Sequence, residues 1–289
     1  MQLAGMQEIG RAWRNMEARE VWNQFDRMVS APDEEIDLSR AALLIAATEY
    51  SNLSIERELF HLDGIAEGIA PRMEDDTPLY QLNTLSEYLF DELKFAGNHT
   101  NYHDPRNSFL NDVMERKRGI PITLSLLYIE VGKRIGVSLL GIGMPGHFIV
   151  RHRDEPEVFV DPFHGGILLS VDECMERLKQ VTQGSLEWDA EYLEPVSSRA
   201  IIARMLRNLK LVYLQRRNYE RVLATIDRVI ALLPQDAVEF RDRGVVNYRL
   251  GNFEEALEDL HVYVASGEEM PDGVTVHKLM DQIRDRLEE

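Results

Sequence analysis

The chain has 289 residues, 44% of them hydrophobic, and 50 acidic against 32 basic side chains give it a formal net charge of −18. It contains no run of 18 or more apolar residues, which excludes a membrane-spanning helix, and its acidity disfavours nucleic acid and anionic membranes while suiting a soluble chain or one with a basic partner. The single cysteine, Cys174, excludes an intrachain disulfide and a four-cysteine metal site and points to a reducing, cytoplasmic setting.

Residues 1–36 read as a lead-in. Ile9, Trp13, Met16, Val21 and Phe25 form a loose amphipathic pattern, and Arg11 and Arg14 sit among acids with no apolar core of a secretory leader. The turn-like acidic stretch Ala31-Pro32-Asp33-Glu34-Glu35 marks a boundary. A helix is predicted from near Asp37, with Leu38, Ala41, Ala42 and Ile45 on one face. Ser54 is an N-cap for the next helix. Thr77-Pro78 starts a third, which carries Leu82, Leu85, Leu89 and Leu93 and is closed by Gly97. Residues 97–106 are polar and read as loop. Ser108 opens a short helix over Leu110, Val113 and Met114, closed by Gly119. Pro121 opens the next at once, with an apolar stripe of Leu124, Leu127, Tyr128, Val131 and Ile135 ending at Gly136.

The period then falls to two. Val137–Ile142, His147–Val150, Val158–Val160 and Ile167–Leu169 read as strands, with a turn at Met144-Pro145-Gly146. Helices followed by an antiparallel sheet make the class α+β, and residues 37–198 one domain. Residues 199–289 are helical again and carry a repeat. Asn218-Tyr219 matches Asn252-Phe253, and 252 − 218 = 34; Leu223, Ile226 and Ile230 match Leu257, Leu260 and Val264 at the same offset. A helix–turn–helix period of that length is the tetratricopeptide signature. Two such units need a neighbour to cover their apolar faces, so they are expected to pack on the preceding domain, with 274–287 as a capping helix.

The chemistry lies in an order of residues. A papain-like nucleophile needs a thiol at a helix start, a histidine on a facing strand to take its proton, and a carboxylate on the next strand to hold the imidazole. Gly119-Ile120-Pro121, His147-Phe148-Ile149-Val150 and Val160-Asp161-Pro162 supply that order. With Asn107-Ser108-Phe109-Leu110-Asn111-Asp112-Val113, Arg118 to Ser125, Pro145-Gly146-His147-Phe148 and Asp161-Pro162-Phe163-His164-Gly165-Gly166, the chain resembles the transglutaminase-like superfamily. It is most similar in kind to its SirB-type bacterial proteins with tetratricopeptide repeats; a related segment occurs in one F-box protein. The resemblance covers roughly residues 35–265. It implies a papain-like helix-plus-antiparallel-sheet core, with His147 as the superfamily histidine and Asp161 as its aspartate. The superfamily cysteine usually follows a glycine by two places, and counting from Gly119 gives Pro121, which carries no nucleophile.

Two function classes follow. The first is a non-catalytic scaffold or regulatory protein that binds a peptide or protein around His147 and Asp161 and a second segment on the repeat face. The second is a hydrolase or acyltransferase in which Ser125 or Thr123 replaces the thiol beside a His147–Asp161 dyad, although an alcohol needs stronger base activation and helix hydroxyls commonly bond back to earlier carbonyls. The reading leans towards the first. Asp161 can alternatively cap a turn before Pro162. Cys174, beside acids, is expected to be a packed residue. His99, His103 and Asp104 lie in a loop and are not read as a metal site; no cofactor is expected. His164 is expected near the dyad. Arg116-Lys117-Arg118 suit a helix C-terminus, or a carboxylate or phosphate contact at the cleft mouth.

Overall fold

The computed structural model describes residues 19–267 and 273–288. The expected lead-in lies outside the described residues up to 18; from there residues 19–29 are helical (α1), with Phe25 and Val29 buried. The chain divides into two compact units, one ending at Ile202 and one beginning at Ala203. The fold is α+β.

In the first unit α2 (Leu38–Ala47) is capped by Asp37, whose carboxylate accepts the Arg40 amide at 2.9 Å, and α3 (Ile55–Ile69) by Ser54, which accepts the Arg57 amide at 3.4 Å. Proline starts α4 (Pro78–Ser86), which continues through a π-helical turn over Glu87–Glu92. That helix ends before Gly97, because Lys94 already turns left-handed at φ 65°. Gly97 instead belongs to β1 (Ala96–Gly97), which pairs in parallel with β2 (Arg118–Gly119). A Cβ at 97 would lie 2.4 Å from the Phe163 carbonyl oxygen, so this close approach requires glycine. Likewise α5 (Leu110–Arg116) is closed by left-handed Lys117, and Gly119 is strand.

The axis of the unit is α6 (Pro121–Arg134). Its residues from Pro121 to Gly132 are all buried, not only the predicted stripe. Helices α2, α3 and α5 cover one side and the sheet the other, so the helix has no solvent face to keep polar. Tyr128, fully buried, donates its hydroxyl to the Leu82 carbonyl at 2.8 Å and ties α6 to α4.

Four strands form an antiparallel meander in the order β3 (Leu139–Ile142), β4 (Ile149–His152), β5 (Phe159–Asp161), β6 (Ile167–Leu169). The second strand starts two residues later than the sequence suggests, because His147 closes a tight turn by donating its amide to the Met144 carbonyl at 3.1 Å. The Val150↔Val160 register then sets the end of β5 alongside that turn. Helix α7 (Val171–Thr182) packs Cys174 and Leu178 onto Ile142, Ile149, Phe159 and Leu169.

Helix α8 (Ser198–Gln215) carries the chain into the second unit, followed by α9 (Tyr219–Leu232), α10 (Ala237–Leu250), α11 (Phe253–Ala265) and α12 (Gly273–Glu288). The N-cap position repeats with the sequence, Asn218 before α9 and Asn252 before α11, although only the Asn218 side chain accepts a backbone amide there. Gly244 lets α10 approach α11, since a Cβ there would meet Leu260 at 2.8 Å. Val276, Met280 and Ile283 of α12 close the apolar cluster around Ala256, Leu260 and Tyr263.

Candidate functional site

Asp161 is the hub of the site and is fully buried. Its Oδ2 lies 2.9 Å from Nε2 of His147, 2.8 Å from Nδ1 of His164 and 3.5 Å from Nε of Arg177. Its Oδ1 accepts the His164 amide at 3.3 Å and so also caps the turn Pro162–His164. The two readings of Asp161, turn cap and histidine partner, are fulfilled by different oxygens of one carboxylate. Burial alone would raise this acid; the hydrogen bonds from His147 and His164 outweigh it and hold the carboxyl well below the usual range.

The tautomers follow from the partners. Arg177 Nη1 lies 3.2 Å from His164 Nε2, and a guanidinium only donates, so Nε2 accepts and the His164 proton sits on Nδ1, facing Asp161. His147, 3% exposed, donates Nε2–H to the same carboxylate, which leaves the lone pair of its neutral form on Nδ1.

These groups line a cleft of about 460 Å³ together with Pro121, the first residue of α6. The helix start and the imidazole therefore meet in one cavity, and at that start the chain offers a pyrrolidine ring. Tyr102, Phe163 and Val181 form the apolar walls. The loop carrying Tyr102 is held by Asn107, whose amide donates to the carbonyls of Asn101 and Tyr102 at 2.8 and 3.1 Å. Asn107 in turn accepts through its carbonyl from the Thr123 hydroxyl at 2.7 Å.

Thr123 and Ser125 are fully buried. The Thr123 hydroxyl also accepts the Ile120 amide at 3.2 Å, and the Ser125 hydroxyl donates to the Phe148 carbonyl at 3.3 Å. The bonds to Asn107 and Phe148 join α6 to its neighbours, and the one from Ile120 closes the start of α6 itself. Neither residue is among those lining the cleft. Cys174 is fully buried in the sheet–α7 core, where burial, Asp161 and Glu173 push its thiol up to about 12.

Arg116, Lys117 and Arg118 do not reach the cleft lining. Arg116 pairs with Asp104 at 3.4 Å, Lys117 lies over the Phe95 ring, and Arg118 donates to the carbonyls of Lys94 and Lys117 at 3.0 and 2.8 Å. The cleft's arginine is Arg177, which the sequence did not single out. Its link to Asp161 is made by tertiary packing, and no local motif announces it. The His99 ring lies among aromatic neighbours, 4.4 Å from Phe163 and 5.4 Å from His164. Asp104 is taken by Arg106 at 2.7 Å.

His147, Asp161 and His164 place three ligand-capable atoms within 4.8 Å of one another. A cation on His164 Nδ1 would force the ring proton onto Nε2, against the hydrogen of Arg177, and would lie beside that guanidinium. The donor set fits a hydrogen-bonded network better than a cation cage.

Comparison with known proteins agrees with this architecture. Residues 57–207 match the transglutaminase-like superfamily and residues 209–284 a tetratricopeptide repeat. The chain is 37% identical over 250 residues to a UPF0162 protein of Xylella fastidiosa, covering 84% of this chain and 88% of that one. It is 29% identical over 178 residues to a UPF0162 protein of Vibrio cholerae, 61% and 65% of the two chains. Human F-box only protein 21 is 28% identical over 176 residues, 56% of this chain and 27% of that one. The chain belongs to the transglutaminase-like superfamily and carries a tetratricopeptide repeat module behind its core.

Proposed function

We propose that this protein is a non-catalytic recognition or scaffold protein whose cleft holds a peptide or protein segment and whose repeat helices hold another. The observation that carries this reading is Pro121 in the same cleft as His147, at the helix start where acyl chemistry in this fold needs a thiol. The buried hydroxyls of Thr123 and Ser125, spent on backbone carbonyls, support it. A cytoplasmic location suits a chain whose one cysteine is buried as a free thiol. Among the described residues no helix is long and apolar enough to cross a membrane. The test is turnover. Purified protein offered a panel of peptide amides and esters, with and without an amine acceptor, is expected to release and transfer nothing. Hydrolysis or transfer that His147→Ala abolishes would overturn the reading.

A second reading, a hydrolase or acyltransferase using Ser125 or Thr123, is favoured by one observation, the 2.9 Å His147–Asp161 contact. It requires a fluorophosphonate probe to label one of those hydroxyls. An unlabelled chain removes it.

A further inference from the structure

The cleft has a charge opposite to that of the protein around it. One arginine and three histidines line it, and no carboxylate is among the lining residues, although the whole chain carries a net charge of −18. Asp161 lies behind the wall, fully buried and turned to its own partners.

Arg177 is fixed in place by Nε near Asp161 and by Nη1 on His164, which leaves the two hydrogens of Nη2 without a described protein partner. Gln180, one turn of α7 away, and His103, exposed on the facing loop, line the same cavity. The guanidinium is thus oriented by its inner edge and still able to donate from its outer one, which is the arrangement that binds a planar anion.

We propose that the cleft binds a carboxylate borne on an apolar group, held by Arg177 with help from His103 and Gln180. The proposal rests on the recognition reading above and gives its ligand a chemical class. A carboxylate fits better than a phosphate on two counts. Asp161, against the inner edge of Arg177, offsets part of its charge, so the site opposes a dianion more strongly than the single negative charge that the outer guanidinium hydrogens can bind directly. The remaining walls are Tyr102, Pro121, Phe163 and Val181, which suit a hydrocarbon or aromatic body beside the charge. A peptide C-terminus and an acidic side chain share this chemistry.

The experiment titrates the full chain, nitrogen-15 labelled in its arginine and histidine side chains. The probes are N-acetylphenylalanine, its amide, the α-amide of N-acetylglutamate and inorganic phosphate. N-acetylphenylalanine is expected to shift the Arg177 and His147 signals, and its amide to bind roughly tenfold more weakly, the loss of one charge-assisted hydrogen bond. The glutamate probe tells a side-chain source from a chain terminus. Arg177→Gln and His103→Gln should each weaken the acid, and Lys179→Gln, an exposed charge on the same helix, should not. Equal binding of acid and amide, phosphate bound as tightly as N-acetylphenylalanine, no shift with any probe, or an affinity untouched by both cleft variants would each overturn the proposal. Equal binding with shifts at His147 would leave the recognition reading standing. Turnover of an amide would sink that reading while the acid-to-amide ratio still judged the carboxylate.

Discussion

Two histidines hydrogen-bond one oxygen of Asp161 and the Arg177 guanidinium lies 3.5 Å from it, and the energetics of the site follow from that carboxylate. Removing it as Asp161→Ala strands the histidines and Arg177 without their acceptor and should cost about 3–5 kcal/mol in urea unfolding. The pH dependence has a definite sign. The folded carboxyl titrates below its ordinary value of 3.8, so its contribution is complete above that pH and is lost as pH falls towards the folded value. Wild type should therefore lose stability relative to Asp161→Asn as pH falls below about 4. A gap that widened on acidification below that pH would contradict the network. Cys174 behaves oppositely. With its thiol buried and pushed up to about 12, native protein should resist alkylation by iodoacetamide at pH 8, and denatured protein should react fully. The sequence reveals the chemical character of these two residues, because Asp161 sits in a short motif and Cys174 between acids. It does not reveal Arg177 as their neighbour, because β5 and α7 meet only through the core that Leu169, Cys174 and Leu178 build.

The helix start that shares the cleft with His147 can be tested by putting back what its sequence lacks. Pro121→Cys would set a thiol at the head of a 14-residue helix and in the cleft of an imidazole. Its alkylation rate should rise at a pH well below that of a free thiol, and adding His147→Ala should move the profile back up. An ordinary profile in the single variant would mean that the helix head and the imidazole do not address the same space. The repeat helices allow a second test. Gly251 turns left-handed at φ 84° before α11, and the position 34 residues earlier holds Arg217 at φ 55°. The backbone geometry repeats although the residue does not, so Arg217 bears a strain of about 1–2 kcal/mol. Arg217→Gly should recover up to about 1 kcal/mol after the entropy of glycine is charged against it. Element boundaries were legible where a side chain makes the cap, as at Asp37 and Ser54. They were misread at Gly97 and Gly119, where the glycine serves a close strand approach and a lysine makes the left-handed turn. The full burial of α6 was hidden as well, since periodicity reports one covered face and cannot count the layers around a helix.

Over the whole molecule the long-range field and the cleft oppose each other. A net charge of −18 repels polyanions, while the cleft lining concentrates one arginine and three histidines in about 460 Å³. A cavity of that size admits a single acidic group, whereas a nucleic acid must lay many phosphates along a surface to release counterions and bind. The two scales therefore separate experimentally. A 20-base-pair duplex and a single strand of the same length should show no mobility shift with this protein even at about 20 mM salt, where phosphate contacts are strongest. The small carboxylate should behave differently. Its approach is slowed by the distant acids, whose reach shrinks to about 10 Å at 0.1 M salt, while its contact with Arg177 is local and partly shielded from solvent. Raising salt from 20 to 100 mM should therefore quicken its association, or leave it unchanged, where a cationic surface would slow it. A duplex shift that fades with salt, or a carboxylate on-rate that falls steeply over the same range, would show that the exterior field attracts anions and that the charge of the cleft is not a local exception.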